Sequence, residues 1–408
     1  MKLKYDKFLS NLTQFMKASE IRELLKLVEK KRIISLAGGL PDPNSFPIEE
    51  LAKIAQEVIE VYGKKALQYA PTRGVTMFRE VLMGFVAKTR GIKVPSIESI
   101  IITSGSQQSL DIISRTLIDP GDVVLVELPS YLAAINAFKI QRPEFVGIPL
   151  DNNGLRVDIL EEKLKKAKEE GKKIKFLYTV PIAHNPAGVT MSIERKKRLI
   201  ELAEEYDFLI VEDDVYGLLV FEKVDTTPIK LFDKSGRVIY IASFSKILSP
   251  GLRLGYIIAE EPLADVFERA KQSMDLHTSS LSQFIAIEVL RKGVIEKNLP
   301  RVREMYRKKR DVMLDAIEEN FPEGSLWSRP VGGLFIFAWT PKEIDTYKLL
   351  PKAVEKGVAY VPGKPFFVDG SGTNTMRLNF SYPTEDDIKK GIEILGKLLK
   401  EELSTRYP

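Results

Sequence analysis

The sequence has 408 residues, and it contains no cysteine and only two histidines, His184 and His277. Without cysteine the chain can form no disulfide framework, no thiolate nucleophile and no thiolate metal site. Two histidines nearly exclude a conventional zinc cluster. We therefore expect no metal in the functional site.

Long apolar runs are also missing. No stretch approaches the roughly 20 apolar residues of a membrane span, and residues 1–8 lack the apolar core of a secretory signal. The net charge is +5, from 61 basic and 56 acidic residues, and the basic residues are dispersed along the chain. Such a surface has no basic stripe for nucleic acid. We expect a cytoplasmic protein that binds neither membranes nor nucleic acid.

Apolar runs that alternate with helical segments indicate the fold class. From about residue 98 these runs lie at 99–103, 122–126, 174–180, 208–211, 237–242 and 256–259. The alternation is typical of an α/β fold, so we expect a mainly parallel sheet sandwiched by helices. After helical spacing over 261–320, we predict a smaller α+β domain with strands at 330–339, 358–361 and 375–380 and helices between the first two and over 384–402.

A loop after one of these runs offers an amine and an anion-binding set. The run 238–242 has no polar alternation, which is typical of a strand covered on both faces. Ligands of open parallel sheets bind outside the carboxyl ends of the strands. There Lys246 could form an imine with an aldehyde, and Ser243, Ser245 and Arg253 could bind an anion. A lone lysine is most often an ordinary solvated residue, but together with these neighbours Lys246 predicts a covalently held phosphorylated aldehyde.

Two further strand ends carry polar groups. Gly105 and Ser106 follow the run 99–103 at a predicted helix start, where free backbone amides suit a phosphate, although such a pair is also a common helix cap. No Gly-x-Gly-x-x-Gly is present there, which argues against a dinucleotide. Asn185 precedes a proline after the run 174–180, and it either forms a turn or donates its amide to a phenolate-like ring oxygen.

Acidic residues end the run 208–211. Asp213 at such a place could cap a helix or bind a metal, but no histidine or cysteine is nearby in the sequence. A carboxylate facing a pyridine nitrogen would keep that nitrogen protonated and make the ring an electron sink, and Tyr216 could then reach the neighbouring ring oxygen. We expect these strand ends to converge, provided that the strands are parallel and adjacent.

Taken together and in order, these motifs resemble the fold-type-I pyridoxal-phosphate aminotransferases, and specifically the branch that contains kynurenine and 2-aminoadipate aminotransferases. The resemblance covers nearly the whole chain and is carried by residues 19–26, 34–41, 67–69, 103–108, 184–190, 211–217, 243–253 and 376–380. It implies pyridoxal 5'-phosphate as cofactor. It also implies transfer of an amino group from an amino acid to a 2-oxo acid, with 2-oxoglutarate as acceptor by family analogy.

The resemblance assigns roles in cofactor binding. It implies that Lys246 forms the internal aldimine, that Asp213 pairs with the pyridine nitrogen, and that Asn185 and Tyr216 hydrogen-bond the ring oxygen. Tyr131 matches the aromatic residue that stacks on the ring, although it could equally be a core residue at a helix start. The residues expected around the phosphate are Gly105, Ser106, Gln107, Ser243, Ser245 and Arg253, with Tyr69 reaching it from a second subunit of a homodimer that shares its active sites.

The resemblance also assigns substrate-binding residues. Arg377 matches the clamp for the substrate α-carboxylate, which suits the planar fork of a guanidinium, and Gly39 would offer a backbone contact there beside Asn185. Arg22 matches an arginine that meets a distal substrate carboxylate, favouring 2-aminoadipate or glutamate; its alternative is a solvated residue on a predicted amphipathic helix over 18–30. The chain departs from many relatives at residues 181–184 and at Val215, which border the pocket.

Three domain segments and two alternative functions complete the predictions. We expect an N-terminal arm with part of the small domain at 1–45, the large cofactor domain at 46–295 and the small C-terminal domain at 296–408. The same fold and cofactor also support β-lyases and decarboxylases. Effector-sensing regulators built on this fold carry an added DNA-binding module before it, and the first motif here already begins by residue 19.

Overall fold

The computed structural model describes residues 5–16 and 33–405. The predicted helix over 18–30, including Arg22, lies outside the described residues. The α-helices of the described part, α1 to α11 in order, are Ile48–Ala66, Thr76–Arg90, Ser106–Leu117, Leu132–Lys139, Val157–Glu169, Ile193–Glu205, Glu261–Asp275, Ser280–Arg291, Val294–Asn320, Thr346–Glu355 and Glu385–Ser404. Within these ranges, no helix is long and apolar enough to cross a membrane.

The strands of the described part form three sheets. In order, β1 to β14 are Ile34–Ser35, Ile100–Thr103, Val123–Leu128, Glu144–Asp151, Gly154–Leu155, Ile174–Thr179, Leu209–Asp213, Val238–Ser243, Gly255–Ile258, Leu326–Trp327, Phe335–Trp339, Val358–Ala359, Val361–Pro362 and Thr375–Asn379. The large sheet has eight strands in the order β2-β9-β8-β7-β6-β3-β4-β5. Every residue of β2 and β8 is buried, because helices cover both faces.

The central strands of the large sheet are parallel, which confirms the α/β prediction. β4, β3, β6, β7 and β8 are parallel neighbours. The strand β9 lies between β8 and β2 and is antiparallel to both. The condition that all four strands are adjacent is therefore not met by β2. Its end still lies at the same edge as that of β8, because two antiparallel pairings restore the direction.

The sequence pattern did not predict strand β4. This segment contains Gly147 and Pro149, which interrupt the apolar run on which strand prediction depends. In the sheet its residues 144–149 pair with the whole of β3. A Cβ atom on Gly147 would lie 2.8 Å from Leu128 Cδ1, so the glycine allows the close approach of these two strands.

A smaller α+β unit is built from both ends of the chain, as expected for this fold class. β10, β11, β14 and β13 form an antiparallel sheet, and β1 from the N-terminal part pairs with β12. The long helix α9 packs along α11. The first predicted strand of this unit begins at Phe335 instead of residue 330, because Gly333 has a φ of 72°. The domain boundaries at residues 45 and 295 stay a prediction.

Candidate active site

Polar side chains from several strand ends meet in one cavity of about 190 Å³. Its walls are formed by Ser106, Gln107, Tyr131, Val180, Asn185, Asp213, Val215, Tyr216, Ser243, Ser245, Lys246, Pro250 and Arg253. Of the residues predicted to bind the cofactor, only Gly105 and Tyr69 do not line it. Wider clefts of about 560 to 780 Å³ open elsewhere on the described surface, but Lys246 and Asp213 line none of them.

The loop 244–254 brings Lys246 and Arg253 to the same edge of the sheet. It connects β8 to β9, and these strands pair antiparallel with Ser243 opposite Gly255. The loop therefore leaves the sheet and returns to it at one place. Arg253 ends the loop in the left-handed region with a φ of 52°, and its Nη2 donates a hydrogen bond to the carbonyl oxygen of Ser104 at 2.8 Å.

Gly105, Ser106 and Arg253 form what we call the anion cradle. Gly105 has a φ of 80°, and a Cβ atom there would lie 2.5 Å from Arg253 Nη2, so this position requires glycine. Helix α3 begins at Ser106, and the backbone amides of its first turn have no partner within the helix. These amides and the guanidinium together suit a dianion.

Lys246 lies in the cavity with a perturbed amine. Its Nζ donates a hydrogen bond to the carbonyl oxygen of Gly39 at 2.8 Å. Burial and, to a smaller extent, the positive charges of Arg377 and Arg253 together lower the pKa of Lys246 from 10.5 to about 8. No carboxylate of the described residues forms an ion pair with it. A much larger fraction of this amine is therefore neutral near pH 7 than for an ordinary lysine.

We expect the lowered pKa of Lys246 to set the pH dependence of cofactor capture by the apo protein. Only the neutral amine attacks an aldehyde, so the rate constant should rise with pH through a midpoint of about 8 and level off above it. Stopped-flow absorbance with pyridoxal phosphate measures this profile. Pyridoxine phosphate, which has no aldehyde, is the matched ligand, and its binding should lack the midpoint. A profile that keeps rising to the ordinary lysine pKa of 10.5 would contradict the expectation.

Asp213 at the end of β7 is buried and is held by a tyrosine. Its Oδ2 accepts a hydrogen bond from Tyr178 Oη at 2.7 Å, whereas Oδ1 has no hydrogen-bond partner among the described residues. The pKa of Asp213 is raised from 3.8 to about 7, chiefly by burial and also by the charges of Asp214 and Glu127, against the opposing effect of the Tyr178 hydrogen bond. A cation beside Oδ1 would restore the charged form.

Strand alternation separates Asp213 from the two acidic residues beside it. Asp214 Oδ2 accepts hydrogen bonds from Arg90 Nε at 2.7 Å and from Tyr240 Oη at 2.6 Å. Glu212 accepts hydrogen bonds from two backbone amides, at 2.7 and 2.8 Å. Both neighbours are thus used structurally, and of the three only Asp213 lines the cavity. Tyr216, which also lines it, is buried, and burial raises the pKa of its phenol.

Arg377 on β14 is buried, and no carboxylate of the described residues pairs with it. Its Nη1 donates to Asn185 Oδ1 and its Nη2 to the carbonyl oxygen of Ala37, both at 3.0 Å. Its Cζ lies 4.1 Å from the ring centroid of Phe335 and 5.3 Å from that of Phe366. Burial lowers the pKa of Arg377 from 12.5 to about 10. The described residues offer it only neutral acceptors, and its Nε has none.

The turn that carries Asn185 is supported by two buried residues that the sequence analysis did not assign. Glu127 at the end of the apolar run in β3 accepts a hydrogen bond from Thr179 Oγ1 at 2.7 Å. His184 Nε2 lies 2.9 Å from Glu127 Oε2, though not aligned as a hydrogen bond, and its Nδ1 accepts one from the Ala187 amide at 3.1 Å. The sequence did offer one signal for Glu127, namely a carboxylate at the end of an apolar run.

The remaining predicted residues lie around this centre. Tyr131 precedes α4 and lines the cavity, so it is both at a helix start and at the site. Gly39 lies on the loop that contacts Lys246. Tyr69 is 78% exposed and meets the ring of His277 edge-on at 5.7 Å, so its contact with a second subunit stays a prediction. Arg22 lies outside the described residues.

The residues present fit pyridoxal 5'-phosphate. The anion cradle with Ser243 and Ser245 supplies donors for a phosphate, and Lys246 supplies an amine for an aldehyde. The uncompensated Oδ1 of Asp213 is suited to a protonated ring nitrogen. Residues of all three features line the same cavity.

Comparison with known proteins identifies the family. Residues 17–395 match the family model of class I and II aminotransferases. The chain belongs to this family. It is 51% identical over 401 residues to aromatic-amino-acid aminotransferase 1 of Thermococcus litoralis, a match that covers 98% of this chain and 96% of that one.

Solved aminotransferase structures have the same fold. The kynurenine aminotransferase of Pyrococcus horikoshii, in complex with PMP, matches with a TM-score of 0.94 at 50% identity over 98% of each chain. The α-aminoadipate aminotransferase of Thermus thermophilus, complexed with N-(5'-phosphopyridoxyl)-L-leucine, matches with a TM-score of 0.90 at 38% identity over 99% of this chain and 100% of that one. The protein is a pyridoxal-phosphate-dependent aminotransferase of fold type I, which confirms the resemblance and the cofactor predicted from the sequence.

Proposed function

We propose that this aminotransferase moves the amino group of 2-aminoadipate, glutamate or an aromatic or kynurenine-like amino acid to a 2-oxo acid, with 2-oxoglutarate as acceptor. The two half-reactions alternate in a ping-pong mechanism. The observation that carries the proposal is the buried guanidinium of Arg377, which has no carboxylate partner among the described residues and lies close enough to Lys246 to lower its pKa. A substrate carboxylate would supply the missing countercharge.

Each residue of the cavity has one task in this proposal. When bound, pyridoxal phosphate supplies an aldehyde carbon for a primary amine and a ring that accepts the electron pair left at the substrate α-carbon. Lys246 Nζ would hold the cofactor at its aldehyde carbon, and once the substrate amine had taken its place, the freed Lys246 amine would be the group that holds and moves the α-proton. Asp213 Oδ1 keeps the ring nitrogen protonated. Tyr216 donates to the ring oxygen through its hydroxyl.

Asn185 connects the cofactor contacts to the substrate contacts. Its Oδ1 accepts from Arg377, so its amide nitrogen is the atom that can donate to the ring oxygen. The same bond fixes one arm of the guanidinium. Asn185 therefore orients both the cofactor ring and the guanidinium of Arg377 that binds the α-carboxylate. This places the α-carbon of the substrate at a fixed position relative to the ring.

The names of similar proteins support the proposed donors. They are the aromatic-amino-acid, kynurenine and α-aminoadipate aminotransferases described above. Donor and acceptor have to use the same cavity in turn, since Arg377 binds the α-carboxylate of both. The enzyme must then accommodate an acidic side chain and an aromatic one in a single pocket.

We predict that Arg22→Ala lowers kcat/KM for 2-aminoadipate and glutamate more than for phenylalanine and kynurenine. The reason is that a guanidinium can pair with a distal carboxylate but adds little to an apolar ring. Ratios of kcat/KM for acidic and aromatic donors measure the effect. Lys26→Ala, which removes another basic residue from the same predicted helix, should leave the ratio unchanged. Equal loss for both substrate classes would defeat the proposal.

Half-reaction kinetics test the proposed donors directly. The pyridoxal-phosphate enzyme is mixed with 2-aminoadipate, glutamate, kynurenine, phenylalanine, leucine or lysine, and cofactor absorbance is followed. Accumulation of pyridoxamine phosphate with amino acid alone is the expected result. A β-lyase or a decarboxylase would instead release its product while the cofactor remains in the aldehyde form. The best donor is the one with the highest second-order rate constant.

We also propose a homodimer in which Tyr69 reaches the cofactor phosphate of the second subunit. Its high exposure in the single chain supports this assignment. Sedimentation of the holoenzyme tests the homodimer. Weaker cofactor retention in Tyr69→Phe would support the contact between Tyr69 and the phosphate. The cytoplasmic location stays a prediction.

A further inference from the structure

Ser104 is the point at which the anion cradle is attached to the rest of the protein. Its carbonyl oxygen accepts from Arg253 Nη2 at 2.8 Å, and its amide donates to Gln108 Oε1 at 2.8 Å. Its hydroxyl donates to Asp275 Oδ2 at 3.0 Å and lies 3.2 Å from Thr278 Oγ1. The position of Ser104 thus decides where the guanidinium and the start of α3 lie.

A buried lysine connects all three of these side chains. Lys271 on α7 has no exposed surface, and its Nζ donates to Gln108 Oε1 at 2.9 Å, to both carboxylate oxygens of Asp275 at 2.8 and 2.9 Å, and to Thr278 Oγ1 at 3.0 Å. Apart from Arg253, the side chains that contact Ser104 here are those of Gln108, Asp275 and Thr278, and each of them accepts a hydrogen bond from Lys271. Lys271 itself does not line the cavity.

We propose that Lys271 and Asp275 are positioning residues for the phosphate of the cofactor, acting through Ser104 on the anion cradle. This rests on the proposed role of the cradle in phosphate binding. The ammonium and the carboxylate neutralise each other, so the pair contributes geometry rather than charge to the site. Burial of the Lys271 ammonium costs desolvation energy, and its ion pair with Asp275, whose side chain is 27% exposed, offsets part of this cost. The hydrogen bonds of the pair reach Ser104, the residue before Gly105.

The proposal predicts a loss that depends on the phosphate group of the ligand. Pyridoxal has the same aldehyde and ring as pyridoxal phosphate but no phosphate, so its capture by Lys246 does not need the cradle. Lys271→Met should raise the Kd of pyridoxal phosphate by about tenfold or more, as for other groups that orient the direct partners of a ligand. The Kd of pyridoxal should stay the same.

The experiment titrates the full-length apo protein with each aldehyde and follows the absorbance of the covalent adduct. Asp275→Asn keeps the shape of the side chain and carries the test if Lys271→Met does not fold. The matched control is Lys196→Met, because Lys196 is another fully buried lysine. Its Nζ donates to the Thr227 carbonyl at a distance of 2.8 Å, and neither residue lines the cavity. It should change neither Kd.

Two results would overturn the inference. An equal rise of both Kd values would show that the network supports only the general fold, and an unchanged Kd for pyridoxal phosphate in a folded variant would show that the cradle does not depend on it. A wild-type chain that captures neither aldehyde would instead overturn the proposed role of Lys246. The two failures are therefore distinguishable.

Discussion

Lys246→Ala is expected to abolish transamination, lowering kcat by at least about 10⁴-fold, the upper end of what a positioned proton-transfer group contributes. The substitution removes both the amine that binds the aldehyde and the group that moves the α-proton. Steady-state rates and borohydride reduction of the holoenzyme measure the two losses separately. The wild type should yield a reduced adduct on Lys246 in a peptide map, and the variant none.

Two control variants distinguish the chemistry of the Lys246 amine from other effects. Lys246→Arg controls for the positive charge, and Lys196→Met controls for the loss of a buried lysine. The arginine keeps a cation at the site but forms no stable imine, so it should be as inactive as the alanine variant. Lys196 is a buried lysine away from the cavity, and its replacement should leave kcat near wild type in the folded protein. A borohydride-stable adduct on another lysine, or substantial activity without Lys246, would refute the mechanism.

Arg377→Met is expected to lower kcat/KM for every amino donor by roughly 10²- to 10³-fold, because losing one partner of a buried charge pair costs about 2–5 kcal/mol. Cofactor capture should persist, since Arg377 contacts Asn185 and Ala37 and does not line the cofactor cavity. The positive charge of Arg377 also lowers the pKa of Lys246. The pH midpoint of capture should therefore move upward in the variant.

Arg303→Met is the matched control for the loss of a guanidinium. Arg303 donates from Nε and Nη2 to the Leu218 carbonyl at 2.9 and 2.7 Å. Its partner is therefore also a neutral oxygen, but Leu218, unlike Asn185, does not line the cavity. Its replacement should leave kcat/KM and the pH midpoint unchanged. If Arg377→Met kept kcat/KM within about tenfold, a difference of only 1.4 kcal/mol, the α-carboxylate would have to bind elsewhere.

Patterns that arise from local physics predicted much of the fold. Buried parallel strands need uninterrupted apolar residues on both faces, so the runs that became β2, β6, β7 and β8 were visible in the sequence. The strand β4 was not visible, since its glycine and proline are tolerated only because of how β3 packs against it. The antiparallel direction of β9 depends on pairing partners that a local pattern does not reveal.

The candidate site shows the same division. Lys246, Asp213 and Asn185 were predictable because each follows a strand, where side chains meet at one edge. Tyr178 and Lys271 were missed, because a tyrosine in a strand and a lysine in a helix are ordinary residues there. Their importance comes from hydrogen bonds to partners distant in the chain, at separations of 35 residues for Tyr178 and Asp213 and 163 for Lys271 and Gln108.

The amino-acid order alone predicted the class of fold and, through the resemblance that its short motifs carry, the cofactor and the lysine proposed to hold it. Only the tertiary structure decided which of three consecutive acidic residues enters the cavity, in which direction the pKa of Lys246 moves and why Arg377 has no carboxylate partner among the described residues. The reason is that desolvation and pairing depend on groups brought together by folding, and their distances in space are not encoded in any one segment.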